Sequence, residues 1–325
     1  MTSTTTTTTS TTTTTVEALA NPALPATNAT FDALAAGNAA VSMTVIHDGR
    51  VVLDRASGTT LDGAVASADS PMVVASVSKL LTATLIARLH ETGLIDVDAP
   101  VPWATMGLVP HPGWNDVTPL ELLDHTSGMP VVRGEWLVPS GDCAGFLPTL
   151  LVEPPRSHRG KWTYSNGNYC ALGLLVEAMT DLPLDQAVQS ILLDPIGASG
   201  VHLTTDGQRV TDVGYALRVE RLARLGGAGS IIASTDDIAA VLDSITPADR
   251  DVMTWPGVFV DQYGWGHTGT VDGAVSCAWV MDRTVVVTTV AGNRPATGGA
   301  VCDRVVVAVA TDFGNSAGKP DRLPR

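Results

Sequence analysis

Ser76-Val77-Ser78-Lys79 sets a hydroxyl and an amine three positions apart at the head of an apolar stretch. On a helix, positions i and i+3 share a face, so the two groups stand one turn apart. A serine hydroxyl is a weak nucleophile until a neighbour takes its proton or holds it in place. A lysine kept dry can do that, because desolvation lowers its pKa toward neutrality. Tyr164 supplies a phenol which, beside a cationic lysine, can act as base or proton relay. Asn166, two residues on, offers an amide able to donate to a substrate carbonyl and to accept from Lys79. Plainer readings stand beside these. Ser76 can be a helix cap and Lys79 a snorkelling surface residue; Tyr164 and Asn166 can merely satisfy a turn. Asp124 and His125 invite a Ser-His-Asp triad, but adjacent residues point in different directions, so His125 reads as structural.

The elements that must position these groups are legible in outline. Residues 41–56 read as a β-hairpin about His47-Asp48-Gly49, since Asp-Gly between β-branched runs is a strong turn signal. From Ser76 to about Glu91 apolar residues surround a helix on most sides, which marks it as buried, and Gly93 closes it. Thr118-Pro119-Leu120-Glu121 reads as a capping box with proline at the first helical position. Further helices are expected at 168–180 and 185–193. Gly226 to Ser230 reads as a flexible turn before a helix over 234–244. Ala274 to Met281 and Thr284 to Ala291 are strand-like runs joined at Asp282-Arg283, and an apolar helix follows over 300–313. Strands at both ends with helices between predict an α+β fold. One antiparallel sheet is built from N- and C-terminal strands and flanked by helices, and a mainly helical subdomain is inserted over about 98–225. A cleft between sheet and subdomain suits a small ligand.

This order of elements resembles the serine β-lactamase and penicillin-binding family, which includes class C β-lactamases, D-alanyl-D-alanine carboxypeptidases and related esterases. Val117 to Pro130 (VTPLELLDHTSGMP), Lys161 to Thr180 (KWTYSNGNYCALGLLVEAMT) and His267-Thr268-Gly269-Thr270 look like the family's further signature segments, in the family's order, over about residues 35–313. The resemblance implies an acyl-enzyme at Ser76, with Lys79 and Tyr164 catalytic and Asn166 contacting substrate. It also implies an oxyanion hole from the backbone N–H groups of Ser76 and Thr270. His267 stands where many members place lysine. As histidine it can titrate in the working range, so a rate that responds to pH near its ordinary pKa is expected if it touches substrate. Thr268 and Gly269 complete the strand, Thr268 as a hydrogen-bond partner for a substrate carboxylate. Asn293 and Arg294, after the last strand, are candidates for reading that carboxylate. The His-Thr-Gly form favours D-Ala-D-Ala-type peptides or small esters over β-lactams. A β-lactamase, or a penicillin sensor that stays acylated, are the alternatives. The interval from Tyr164 to His267 is short for the family, which bears on specificity and not on the nucleophile.

Composition bounds the rest. The chain has 325 residues and a formal net charge of −14, which argues against nucleic acid or an anionic membrane surface as partner. No apolar run reaches the length of a membrane span. The substrate is expected to be a small molecule or peptide, with no metal or organic cofactor and a monomeric chain. Residues 1–30 are threonine-rich and expected to be disordered, 31–313 form the domain, and 314–325 are a polar tail. An export signal upstream would make the domain extracytoplasmic; without one it would be cytoplasmic. Cys143, Cys170, Cys277 and Cys302 show no metal-site spacing. Cys277 and Cys302 can meet if the last helix packs on the sheet, and four unpaired buried thiols are an equal alternative. The seven tryptophans read as core or loop packing.

Overall fold

The computed structural model describes residues 23–59, 63–131, 142–198, 202–203, 223–253, 258–292 and 297–314. Its strands are β1 (Ala40–His47), β2 (Arg50–Gly58), β3 (Met72–Val73), β4 (His202–Leu203), β5 (Ile231–Ala233), β6 (Phe259–Val260), β7 (Trp265–Val271), β8 (Ala274–Met281) and β9 (Thr284–Ala291). Its α-helices are α1 (Pro25–Ala35), α2 (Ser78–Glu91), α3 (Pro119–Leu123), α4 (Cys143–Leu151), α5 (Asn166–Thr180), α6 (Leu184–Val188), α7 (Thr235–Asp243), α8 (Pro247–Val252) and α9 (Gly298–Phe313).

The main sheet has six strands in the order β2-β1-β9-β8-β7-β6, every pair antiparallel. The β1–β2 hairpin turns at Asp48 and Gly49, both with positive φ (53° and 69°), the geometry that a two-residue hairpin needs and that Asp-Gly accommodates. The sheet thus joins the two ends of the sequence: β1 lies against β9 in unbroken register from Ala40↔Ala291 to His47↔Thr284. β9 is buried along its whole length because both faces of the sheet are covered. One face packs on α1 and α9 through Phe31, Met43, Cys277, Val286, Cys302 and Val305. The other carries Ala278, Val285 and Val287 into the larger core around α2, α5 and α7. β3, β5 and β4 form a small second sheet, which brings residue 231 beside the turn preceding α2.

Several expectations are corrected. Residues 25–30 belong to α1, not to a disordered head, and residues 1–22 lie outside the described residues. Pro25 preorganises the first turn, Phe31 and Leu34 are buried, and the Asp312 carboxylate at the far end of α9 accepts from Ala26 N, Thr27 N and Thr27 Oγ1 (3.0, 2.7 and 2.7 Å). These bonds satisfy N–H groups that a helix start leaves open. Ser76 lies in a 3-10 turn, Ala75–Val77, and α2 begins at Ser78, two residues later than the spacing suggests. The expected 314–325 tail lies outside the described residues beyond Gly314, which is the left-handed C-cap of α9. All four cysteines are paired, as Cys143–Cys170 and Cys277–Cys302, with Cα–Cα distances of 5.4 and 5.0 Å. The second pair staples β8 to α9, as packing of the last helix on the sheet permits. The first staples α4 to α5. Among the described residues no helix is long and apolar enough to cross a membrane.

Cys277 and Cys302 are 25 residues apart. Replacing both by alanine removes a cross-link worth about 3 kcal/mol for a loop of that size. Urea unfolding is expected to show that loss, with its midpoint then less sensitive to added reductant.

Candidate active site

Three parts of the chain converge on Ser76. The first is α2, whose Lys79 is almost wholly buried (1% exposed) with its amine aimed back at the preceding 3-10 turn. Lys79 Nζ lies 3.2 Å from Ser76 Oγ, 2.8 Å from Asn166 Oδ1 and 2.5 Å from the Ala228 carbonyl. The second is the start of α5. Ser165 is its N-cap, accepting from Gly167 N, so Tyr164 and Asn166 flank the cap and both face Lys79. Tyr164 Oη donates to Ser76 Oγ at 3.1 Å, and Lys79 Nζ sits 5.0 Å above the Tyr164 ring and 5.7 Å from the Tyr169 ring. The third is β7. Its His267 ring is 6.2 Å from that of Tyr164, and Gly269 passes so close to the Ser76 turn that a Cβ there would meet Val74 O at 2.4 Å.

The hydrogen bonds around Lys79 limit its protonation chemistry. Asn166 Oδ1 and the Ala228 carbonyl can only accept, so each takes one N–H. The remaining site, toward Ser76 Oγ, holds either a third N–H or the lone pair of the neutral amine. Burial pushes the Lys79 pKa below the usual lysine range, the Tyr164 oxygen opposing that shift in part. Desolvation therefore favours the lone pair facing Ser76.

The Ala228 carbonyl was not legible as a functional group. The 226–230 glycine run, expected to be a flexible turn, is a buried strut between α2 and α5. Thr82 Oγ1 donates to Gly227 O at 2.8 Å, and a Cβ on Gly227 would come within 2.8 Å of both Thr82 Oγ1 and Tyr169 O. A Cβ on Gly173 of α5 would lie 3.0 Å from Gly227 N. The signal available was the glycine cluster itself, which marks close backbone approach as readily as freedom.

His125 ends α3 in the left-handed region (φ 56°), at the position glycine often fills. It is buried beneath Tyr164, ring centroids 4.6 Å apart. Ser127 Oγ donates to Asn168 Oδ1 (2.6 Å), so Asn168 Nδ2 donates to His125 Nδ1 (2.9 Å), which puts the ring proton on Nε2. The expected capping box at Thr118 and Glu121 is present, and Arg159 bridges Glu121 to Asp116, fixing the segment that leads to His125. His267 Nδ1 bonds the Thr268 carbonyl at 2.7 Å and so carries the proton there, leaving Nε2 as an acceptor. Burial first, and the Lys79 charge second, hold His267 down at about 3 and His125 at about 2. Both are neutral at working pH, so the expected titration of His267 near its ordinary pKa does not occur.

Ser76, Lys79, Tyr164 and Asn166 are thus brought together, with His267, Thr268, Gly269 and Thr270 alongside on β7. β6 pairs only with Trp265 and Gly266, so among the described residues the outer edge of β7 from His267 onward has no strand partner. Thr270 Oγ1 accepts from Gly298 N at 2.8 Å, which ties that edge to the start of α9. Asn293 and Arg294 lie outside the described residues.

The family model described as Beta-lactamase matches residues 27–315. The chain belongs to the Beta-lactamase family. Within it, the chain is 27% identical over 177 residues to a Bacillus subtilis (strain 168) protein named as a penicillin-binding protein, PbpX, an overlap covering 51% of this chain and 44% of that protein. It is 30% identical over 140 residues to the esterase/beta-lactamase LipL of Mycobacterium tuberculosis, covering 42% of this chain and 32% of LipL. These alignments span less than half the length of either relative. The Beta-lactamase fold is equally plain against solved structures. A D-amino acid amidase from Ochrobactrum anthropi SV3 superimposes with a TM-score of 0.72 at 18% identity, covering 90% of this chain and 99% of the amidase. FmtA from Staphylococcus aureus gives 0.74 at 16% identity, covering 93% of each chain. Its antiparallel sheet with flanking helices is the family's architecture.

Because folding depresses both histidine pKa values, the unfolded chain binds the extra protons. The stability held above about pH 6.5 is lost as pH falls toward the folded values, by about 1.4 kcal/mol per pH unit per histidine. Urea unfolding at pH 7.5 and pH 5 is expected to differ by about 2 kcal/mol for each histidine, and His267→Asn should remove one such share.

Proposed function

We propose that the chain is an acyl-transferring hydrolase in which Ser76 is the nucleophile, acting on small esters or D-Ala-D-Ala-type peptides. The observation that carries this reading is the meeting of Lys79 Nζ and Tyr164 Oη on Ser76 Oγ, at 3.2 and 3.1 Å. Ser76 Oγ bonds to the substrate carbonyl carbon while its proton passes to the Lys79 lone pair. The backbone N–H groups of Ser76 and Thr270 receive the developing oxyanion. The tetrahedral species collapses to an ester at Ser76. The proton moves from Lys79 through Tyr164 to the leaving oxygen or nitrogen. Water then attacks the ester, its proton follows the reverse path to Ser76 Oγ, and the acid is released.

Substrate lies along the open edge of β7, where Thr268 and the strand backbone offer hydrogen bonds as an added strand would receive them. Neutral His267 contributes an acceptor there and no positive charge. It therefore gives a substrate carboxylate no ion pair, which favours small esters that lack a carboxylate over β-lactams as the faster substrates. Asn166 holds Lys79 and lies beside the reacting carbonyl. Two disulfides suit work in an oxidising compartment.

Ser76→Ala is expected to abolish turnover and labelling by a fluorophosphonate or fluorescent penicillin; retained turnover would overturn the assignment. Wild-type protein should hydrolyse a p-nitrophenyl ester faster than a chromogenic cephalosporin. The reverse order marks a β-lactamase, and a burst of one acyl group per chain without turnover marks a sensor. The rate should climb with pH as Lys79 loses its proton and level off below the usual lysine range, with no inflection near pH 6.5 from His267.

A further inference from the structure

Ser276, on β8, stands opposite Gly269 in the β7–β8 ladder and is fully buried. Its hydroxyl reaches past β7 and donates to the Val74 carbonyl at 2.6 Å. The same oxygen accepts from Val77 N at 3.1 Å, closing the 3-10 turn that carries Ser76. That carbonyl belongs to the peptide plane leading into Ala75, the residue immediately before the nucleophile. Ala75 is left-handed, with φ of 47°, and its side chain is buried. A non-glycine residue there costs about 1–2 kcal/mol and persists only where its surroundings hold it.

Gly269 is shaped around this contact. A Cβ at that position would lie 2.2 Å from Ser276 Oγ, 2.4 Å from Val74 O and 3.0 Å from the Ala75 Cβ. Without its side chain β7 leaves a gap through which β8 grips the turn. On the other side, Val74 N donates to Ile231 O at 3.4 Å, and Ile231 N donates to Ser78 Oγ at 3.1 Å. Two of the bonds around the turn, from Ser276 Oγ and from Val77 N, end on the carbonyl of the plane that sets φ at Ala75, and of these two the Ser276 bond is the one from outside the turn.

We propose that Ser276 is a positioning residue for the nucleophile, its hydroxyl clamping the Val74 carbonyl through the gap at Gly269 so that the left-handed Ala75 aims Ser76 at the substrate. This rests on the reading of Ser76 as nucleophile. Nucleophile misplacement of about 1 Å can cost on the order of 100-fold in rate, while substrate binding along β7 is left largely alone.

The test is the rate of Ser76 acylation by a fluorophosphonate, with the adduct located by mass spectrometry, together with kcat and KM for a p-nitrophenyl ester. Ser276→Ala is expected to lower kcat and the labelling rate about 10- to 100-fold, with KM changed less than about threefold and the urea midpoint near wild type. Ser276→Thr and Ser276→Val share a shape and differ in the hydroxyl, so they decide the matter even if the alanine variant does not fold. The threonine variant should label at least about tenfold faster than the valine variant. Equal labelling of that pair, with the wild-type adduct on Ser76, overturns the role of Ser276 alone. A wild-type adduct elsewhere overturns the nucleophile and Ser276 together.

Discussion

A lysine amine buried in a protein interior is the constraint around which this molecule is organised. Moving an ammonium out of water costs several kcal/mol even after relaxation, so the Lys79 site must both satisfy its N–H groups and tolerate the neutral form. Two obligate acceptors do the first: the amide of Asn166 at the start of α5 and the carbonyl of Ala228 on the glycine strut. Ring faces of Tyr164 and Tyr169 enclose the remaining approach. What is left over is one direction, toward Ser76. Reactivity at the serine is thus the remainder of a packing problem solved for the lysine.

That solution requires elements remote in sequence to hold still to within about 0.5 Å. The two cores divide the work. The core between the sheet and α1 and α9 fixes β8, on which β7 is laddered, and the larger core fixes α2 against α5. Each contains a disulfide that bridges two of its elements, β8 to α9 and α4 to α5. Glycines appear where backbones must pass within contact distance, at Gly227 between α2 and α5 and at Gly269 between β8 and the nucleophile turn. Side-chain volume is removed there so that polar atoms can meet.

The sequence was readable wherever a signal is local. The Asp48-Gly49 hairpin, the strands of β8 and β9 and the Thr118 capping box follow from neighbouring residues, and the structure bears them out. Ser76 and Lys79 are only three apart, so any helical turn brings them close, even though Ser76 proves to sit in a 3-10 turn ahead of α2. The features that escaped are non-local. The Cys143–Cys170 bond depends on how α4 meets α5. The Ala228 acceptor depends on a glycine run being squeezed rather than loose. α1 is helical because Phe31 and Asp312 give it something to pack on and bond to. His267 was misread for the same reason: its ordinary pKa belongs to water, and burial beside Lys79 moves it out of the physiological range.

The meeting of Thr27 with Asp312 places the two limits of the folded domain side by side. Gly298, at the opposite end of the 16-residue α9, touches Thr270 at the reactive edge. A helix of that length spans about 24 Å. Cargo fused to either limit would therefore leave from a common point well removed from the cleft mouth, and joining the two limits by a short linker, with new ends cut elsewhere, would disturb none of the groups that meet on Ser76.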